Sequence, residues 1–189
     1  TNEYGGAIDV AGIKTLTLKH CAIVDCTAYG GGGIYLNGGV EAVLENCTIT
    51  LCEAPLSSGG AISAIGSSVV MTNCTITGNK AKYKGGAIYA AKTTSPVTLS
   101  SITIEGGVIG GTEAGKENKA TDPAGEGGGI YAGENCTVTL QNNVRVIGNK
   151  AGTEGGGVYA QGATVNITNC TLTGNEAALK GGAICAVKA

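Results

Sequence analysis

The tetrapeptide Gly85-Gly86-Ala87-Ile88 recurs along this chain of 189 residues, always as two glycines, a small residue, and Ile or Val. The apolar residues that close its seven copies are Ile8, Ile34, Ile62, Ile88, Ile130, Val158 and Ile184. The steps between them are 26, 28, 26, 42, 28 and 26 residues. A nearly constant period in this range is typical of a solenoid, in which each repeat packs on its neighbours.

A second phrase, such as Asn73-Cys74-Thr75-Ile76-Thr77, lies midway between the glycine motifs. A short alternating run precedes it, such as Val69-Val70-Met71 and, within the long step, Val97-Thr98-Leu99. These stretches alternate in polarity and are rich in β-branched residues, which indicates strands. Each repeat therefore holds three short strands, and no stretch has a helical period. The sequence predicts an all-β fold, a right-handed single-stranded parallel β-helix of about six to seven coils, each of 26–28 residues.

The step of 42 residues is the one departure from the period. Its excess lies near residues 110–123, a polar stretch that contains Pro123 and no apolar period. Such a segment is expected to leave the rod as a surface loop. We therefore predict a single β-helix domain over residues 1–189, with an inserted loop near 108–125.

Alignment of the repeats places equivalent side chains in columns. The Ile and Val residues of the glycine motif form an inward column, and the residue after each points outward. Four of these outward residues are tyrosines, and they form a candidate contact strip for a sugar or a protein: Tyr35, Tyr89, Tyr131 and Tyr159. Stacking between coils, which would stabilise the sheet, is the alternative for the same residues.

The second phrase defines two further columns. The first is apolar and buried, and it holds Cys21, Cys47, Cys74, Ile102, Val144 and Cys170. The second, five residues later, is a turn column that holds Cys26, Cys52, Asn79, Gly107, Asn149 and Asn175. We predict turn asparagines at Asn79, Asn149 and Asn175, with the last two stacked on adjacent coils. Cys26 and Cys52 are the candidate disulfide because the backbone of a turn can adjust, whereas the buried cysteines are expected to remain thiols.

Composition argues against several classes of function. A net charge of −2 and a pI near 5.4 do not favour nucleic acid, and no apolar run is long enough for a transmembrane helix. Asp9, Asp25 and Asp122 share no column, and Arg145 is the only arginine. His20 is the only histidine, and no Cys-x-x-Cys is present, so we predict no catalytic, cofactor or metal site and place His20 at a turn or surface.

Two alternative functions remain. Many parallel β-helices bind or cleave polysaccharides, which makes a carbohydrate-binding or carbohydrate-active rod the first alternative. The second is ice binding, because flat hydroxyl arrays can order water. Thr48 and Thr50 form one row of such an array, and Thr75 and Thr77 form the next. The following coils are expected to carry Thr103 with Glu105 and then Arg145 with Ile147, which interrupt the array.

The glycine motif together with an apolar-x-x-Asn motif resembles the repeats of the chlamydial polymorphic outer membrane proteins and related bacterial and archaeal adhesin-like proteins. The second motif reads Ile76-x-x-Asn79, Val146-x-x-Asn149 and Leu172-x-x-Asn175, where the family phrase begins with Phe. The resemblance covers the chain outside the inserted loop. It implies a right-handed parallel β-helix, an extracellular or cell-surface location, and a role in adhesion or surface structure.

Neither terminal segment, 1–4 or 186–189, has the character of a cap. We therefore expect either a fragment of a longer adhesin or a subunit that stacks end to end into fibres. The sequence thus favours an extracellular structural or adhesive rod without catalysis. Its expected partners are a second copy of itself, or a protein or glycan of a host or cell surface, with no membrane insertion by this segment.

Overall fold

The computed structural model describes residues 3–12 and 15–188, and every regular element in these ranges is a β-strand. Thr1, Asn2 and Ala189, which belong to the predicted terminal segments, lie outside the described residues. In chain order the strands are β1 (Ile8–Ala11), β2 (Thr15–Lys19), β3 (Ala22–Val24), β4 (Ile34–Asn37), β5 (Glu41–Glu45), β6 (Thr48–Thr50), β7 (Glu53–Ala54), β8 (Ile62–Ile65), β9 (Ser68–Thr72), β10 (Thr75–Thr77), β11 (Lys80–Ala81), β12 (Ile88–Ala91), β13 (Ser101–Glu105), β14 (Val108–Ile109), β15 (Lys119–Ala120), β16 (Ile130–Ala132), β17 (Thr137–Gln141), β18 (Arg145–Ile147), β19 (Lys150–Ala151), β20 (Val158–Gln161), β21 (Thr164–Thr168), β22 (Thr171–Thr173), β23 (Glu176–Ala177) and β24 (Ile184–Val187).

The strands form four sheets that run the length of a solenoid, and all the pairings between them are parallel. Sheet 1 is β1-β4-β8-β12-β16-β20-β24, with one strand for each of seven coils. Sheet 2 is β2-β5-β9-β13-β17-β21, and sheet 3 is β3-β6-β10-β14-β18-β22. Sheet 4, β7-β11-β15-β19-β23, consists of strands of two residues and was not predicted, because such a short strand carries no alternation to recognise.

The inward column of the glycine motif is confirmed as a single file. Ile34 pairs with Ile62, Ile62 with Ile88, and Ile130 with Val158, each one coil apart. These five residues are 0 % exposed. They belong to one continuous core of Ile, Val, Leu, Ala, Met and Cys side chains that runs between the sheets. A core this narrow is filled by aliphatic side chains and does not need Phe or Trp.

The glycine pair forms the corner that leads into sheet 1, and this corner has no room for a Cβ atom. Gly31 has a φ of +63°, and a Cβ on it would lie 2.4 Å from the carbonyl oxygen of Ile34. A Cβ on Gly32 would lie 2.4 Å from the carbonyl oxygen of Gly60 in the next coil. The motif recurs because every coil makes this corner against its neighbour.

The extra residues of the long coil are divided among three corners instead of forming one loop at 108–125. Relative to the preceding coil, seven lie between β12 and β13, six between β14 and β15, and three between β15 and β16. β14 and β15 stay in their sheets within the predicted loop. The segment 92–100 was misread as strand-forming because Val97-Thr98-Leu99 alternates. The Thr98 N–H is instead bonded within the loop, to Thr93 Oγ1 at 2.8 Å.

This division shifts two of the predicted columns in the long coil. Ile102 pairs with Val69 in sheet 2, so it does not belong to the cysteine column. Gly107 lies against Cys74 and occupies that column instead. The turn column passes through Asn118, not through Gly107, since Asn118 bonds to Asn79.

The turn column is a ladder of buried asparagines. The Oδ1 of Asn118 accepts bonds from the backbone N–H and from Nδ2 of Asn79, both at 3.0 Å. Asn118 Nδ2 in turn donates to Asn149 Oδ1, and Asn149 Nδ2 donates to Asn175 Oδ1, both at 2.9 Å. Each Nδ2 also donates to a backbone carbonyl of the preceding coil, such as Ile76 for Asn118. The predicted stacking of Asn149 on Asn175 is therefore present, and Asn118 makes the ladder continuous.

We expect Asn118→Ala to lower the free energy of unfolding by about 3 kcal/mol, because the buried donors of Asn79 and the carbonyl of Ile76 would lose their partners. Urea denaturation followed by circular dichroism measures this change. The control is Asn166→Ala on an exposed position of β21, which should shift the free energy by less than about 0.5 kcal/mol. Equal effects of the two substitutions would show that the ladder does not stabilise the rod.

Candidate functional site

The predicted tyrosine strip is split into two clusters on the outer face of sheet 1. The rings of Tyr89, Tyr131 and Tyr159 stack on successive coils, with centroid separations of 5.4 and 5.5 Å. Tyr35 lies apart from them because Ser63 occupies the coil between. Its ring instead contacts Tyr4, with centroids 4.4 Å apart.

The stacked tyrosines are covered by polar side chains. Lys84 Nζ donates to the Tyr131 hydroxyl at 3.0 Å, and that hydroxyl donates to Gln161 Oε1. Tyr131 is 3 % exposed and Tyr159 is 5 % exposed. Burial, followed by the negative charge of Glu126 and a hydrogen bond with it, raises the pKa of the Tyr159 hydroxyl. The strip therefore does not offer four exposed rings, and coil-to-coil stacking accounts for Tyr89, Tyr131 and Tyr159.

Six ion pairs lie on the surface of the rod. Most of them join residues that pair directly in register on consecutive coils, such as Lys80 with Glu53 at 2.8 Å and Lys19 with Glu45 at 2.9 Å. Opposite charges on equivalent positions offset part of the repulsion that a regular repeat creates between like side chains, as where Glu53 precedes the in-register lysines Lys80 and Lys119. Each exposed pair contributes at most about 1 kcal/mol.

The candidate disulfide between Cys26 and Cys52 is not formed in the structure. All eight cysteines lie among the described residues and are free thiols. Cys52 Sγ donates to the carbonyl of Thr50 at 3.5 Å, and Cys26 Sγ donates to that of Val24 at 3.4 Å. In-register parallel strands hold equivalent Cβ atoms about 4.8 Å apart, beyond the usual disulfide range. Burial raises the pKa of the Cys52 thiol from 9.0 to about 11.

A groove lies between the outer face of sheet 3 and the loop of residues 110–118. Its floor includes Thr75, Arg145 and Ile147, and its wall includes Glu113 and Lys116. The loop is held against the rod by a bond from the Gly78 N–H to the Lys116 carbonyl at 3.0 Å. Within the described ranges neither Arg145 nor Lys116 makes an ion pair. The sequence did not reveal this groove, because it depends on the loop folding back over a neighbouring coil.

The outer face of sheet 2 is rich in hydroxyl groups over its last four strands. We call the outward side chains of β9, β13, β17 and β21 the hydroxyl face, and they are Ser68, Val70, Thr72, Ser101, Thr103, Glu105, Thr137, Thr139, Gln141, Thr164, Asn166 and Thr168. They lie in three columns, since Ser101 pairs with Thr137, Thr103 with Thr139, and Glu105 with Gln141. All of them are exposed or half-buried, whereas the residues between them face the core.

This face differs from the threonine array that the sequence suggested. Thr48, Thr50, Thr75 and Thr77 do form two adjacent rows, on sheet 3. Thr77 is only 9 % exposed, and the next coil contributes Val108 beside Thr75, which ends the array. Thr103 and Glu105, which were expected to follow these rows and interrupt the array, lie on sheet 2 instead. The larger array was missed because the misaligned long coil separated Thr103 from Thr139.

No metal site is apparent in residues 3–12 and 15–188, where no group of three or more His, Cys, Asp or Glu side chains could hold an ion. His20 is exposed and has a φ of +54°, so it lies at a turn as predicted. None of the elements in the described ranges is a helix long and apolar enough to cross a membrane.

Residues 6–189 match the family model of the right-handed β-helix region. The match covers nearly the whole chain, so the protein belongs to this family, and the predicted right-handed parallel β-helix is confirmed. No curated protein and no solved structure matches the chain.

The raised pKa of Cys52 predicts a loss of stability in alkali. The folded state keeps this thiol protonated to higher pH than the unfolded state does. Its contribution is therefore fully present below about pH 9 and is lost as the pH rises toward about 11. Between about pH 8 and about pH 10.5, the reduced protein should lose roughly 1–2 kcal/mol more unfolding free energy than Cys52→Ala.

Urea denaturation at the two pH values, with a phosphine reductant present, measures this difference. Cys170→Ala is the control, since Cys170 is only half-buried, and it should keep the pH dependence of the unmodified chain. A Cys52→Ala variant with the same alkaline loss as the unmodified chain would contradict the assignment.

Proposed function

We propose that the chain is a structural rod of an extracellular surface, with adhesive faces and no catalytic activity. The observation that carries this proposal is that the stabilising side-chain contacts run from coil to coil along one axis. The asparagine ladder, the tyrosine stack and the ion pairs all connect consecutive coils. Such bonding stiffens the molecule along its length.

The buried polar groups support a rigid interior. Among the described residues, no buried side-chain nitrogen or oxygen lacks a hydrogen-bond partner. The ladder asparagines Asn79, Asn118 and Asn149 are 0 % exposed and are bonded on both sides. Satisfied buried networks resist rearrangement, because any shift of one coil would leave several groups without partners. A rod that keeps its shape is suited to hold its faces at a fixed distance from a surface.

Family membership and sequence resemblance support the location. Right-handed β-helix proteins are often surface proteins or act on carbohydrates. The Gly-Gly-Ala-Ile and apolar-x-x-Asn motifs resemble those of the chlamydial polymorphic outer membrane proteins and adhesin-like proteins, which supports the surface role over the enzymatic one. The proposed partners are therefore surface proteins or glycans, and a second copy of the chain.

Self-association is the finer part of this proposal. β24 carries the same motif as β1, and each coil keeps one register against the next, as in Val158 with Ile184 and Ile8 with Ile34. The first coil of a second copy can therefore follow the last coil in the register that the coils of one copy already use. Contacts of this kind are heterologous and do not close, so they would produce fibres.

The surface location is tested on intact cells of the source organism. An antibody against the purified chain should label them, and protease added outside should remove the label. Labelling only after permeabilisation would contradict a surface role.

A reducing-sugar assay on a panel of polysaccharides should detect no cleavage, and release of sugar by the purified chain would overturn the non-catalytic assignment.

Self-association is tested by light scattering and electron microscopy at rising protein concentration, where the mass should increase and short fibres should form. Ile184→Lys should prevent this growth, because stacking would bury the new charge. Leu179→Lys is the matched control, since Leu179 is 71 % exposed at a corner of the rod. A strictly monomeric chain, or equal effects of both lysines, would contradict end-to-end stacking.

The groove on sheet 3 favours carbohydrate binding as a second candidate function. Arg145, Lys116 and the hydroxyl of Thr75 line an open groove. Together these groups can bind the carboxylate or sulfate of an acidic sugar. On an array of neutral and acidic glycans, the purified chain should then retain acidic ones, and Arg145→Gln should abolish retention. Lys119→Gln, which removes one charge outside the groove, is the control. Retention that Lys119→Gln weakens as much would reflect general charge and would argue against the groove.

A further inference from the structure

We propose that the hydroxyl face of sheet 2 binds ice. This activity is separate from the surface role above and depends only on the geometry of four consecutive strands, β9, β13, β17 and β21. The face presents hydroxyls in a two-dimensional array, with charged Glu105 confined to one edge column. The central and far columns contain only Ser, Thr, Val and Asn side chains.

The spacing of the array matches that of hydrogen-bonded water. Equivalent side chains on neighbouring coils are about 4.8 Å apart. In a tetrahedral water network with O···O distances of about 2.8 Å, second-neighbour oxygens lie about 4.6 Å apart. One water can therefore bridge the hydroxyls of consecutive coils at nearly its preferred angle. A column such as Thr137 and Thr164, which pair in register, can template a row of such waters.

The side chains are ordered enough to act as a template. Threonine and valine are stiff at χ1, so their hydroxyls and methyls keep fixed positions on the sheet. Sheet 2 packs its inward residues, such as Ile102, Ile104 and Val138, into the core at 0 to 2 % exposure, which holds the strands in place. Ser101 Oγ donates directly to Ser68 Oγ at 3.0 Å, so this pair holds no bridging water and the water row of its column lies along Thr137 and Thr164.

The chemistry of the face favours ice over other occupants. Protein interfaces concentrate Tyr, Trp and Arg and are poor in Ser. Sugar-binding surfaces commonly offer an aromatic platform. Among its outward residues the hydroxyl face has no aromatic ring and no Lys or Arg. A planar, largely uncharged array of hydroxyls and methyls instead complements a planar, periodic water lattice.

The experiment measures incorporation of the purified chain into slowly growing ice, together with thermal hysteresis. The chain should concentrate in the ice and separate the melting and freezing temperatures, whereas serum albumin should not. Thr139→Lys, at the centre of the face, should reduce both readouts to the albumin level. Thr171→Lys, the same change at an exposed position of β22 on sheet 3, should leave them unchanged. Thr139→Ser, which keeps the hydroxyl, should retain more activity than Thr139→Val.

Three outcomes would overturn the proposal. The unmodified chain could be rejected from ice like albumin, or the two lysine variants could lose activity equally. The chain could also bind microcrystalline cellulose or chitin through a Thr139-dependent contact without binding ice, which would assign the face to a polysaccharide. Thermal melts by circular dichroism confirm that each variant is folded. Thr103→Lys, one coil away, replaces Thr139→Lys if that variant does not fold.

Discussion

Parallel, in-register stacking of one coil on the next is the constraint on which this structure depends. Equivalent residues lie about 4.8 Å apart. The nearest neighbours of each side chain are therefore the residues at the same position of the coils before and after it. A residue type that recurs on consecutive coils stabilises the rod only if it can pack or bond against a copy of itself. Ile, stacked Tyr and Asn satisfy this condition by packing, by ring stacking and by amide hydrogen bonding. Lysine does not, yet Lys80, Lys119 and Lys150 pair in register on consecutive coils. The two outer lysines of this row are offset by a glutamate on the adjoining coil, Glu53 beside Lys80 and Glu176 beside Lys150.

The same constraint gives the outer faces of sheets 1, 2 and 3 different kinds of side chain. On sheet 1 the rings of Tyr89 and Tyr131 stack on each other, and the Tyr131 hydroxyl bonds to Lys84 and Gln161. These outward tyrosines therefore stabilise the rod and are covered. On the last four strands of sheet 2 most outward residues are Ser or Thr, and they stay at least partly accessible. On sheet 3 a loop of the long coil folds over the surface and forms one wall of a groove beside Arg145. The surfaces that we propose for binding thus lie where few side-chain contacts join the coils.

Much of the fold could be read from the chain because its repeat is nearly exact around the glycine corner. The inward file from Ile34 to Val158, the stacking of Asn149 on Asn175 and the turn position of His20 all follow from spacing and residue type. The strand and column predictions were wrong inside the long coil. There Val97 and Leu99 imitate a strand while the loop bonds to itself, and the error displaced Ile102, Gly107 and Asn118 from their true columns. Local alternation cannot reveal which segment pairs with a neighbouring coil.

The sequence by itself determined a parallel coil with an aliphatic and thiol interior, because periodic glycines and β-branched residues permit little else. It did not determine which outward residues are accessible. Tyr131 and Tyr159 face outward by register yet are buried. Lys84 and Gln161 bond to the Tyr131 hydroxyl, and Tyr159 packs in one cluster with Tyr131 and Cys185. Thr103 and Thr139 become neighbours only when β13 and β17 pair, although 36 residues of chain separate them. Accessibility and adjacency depend on how each corner folds, and only the tertiary structure decides them.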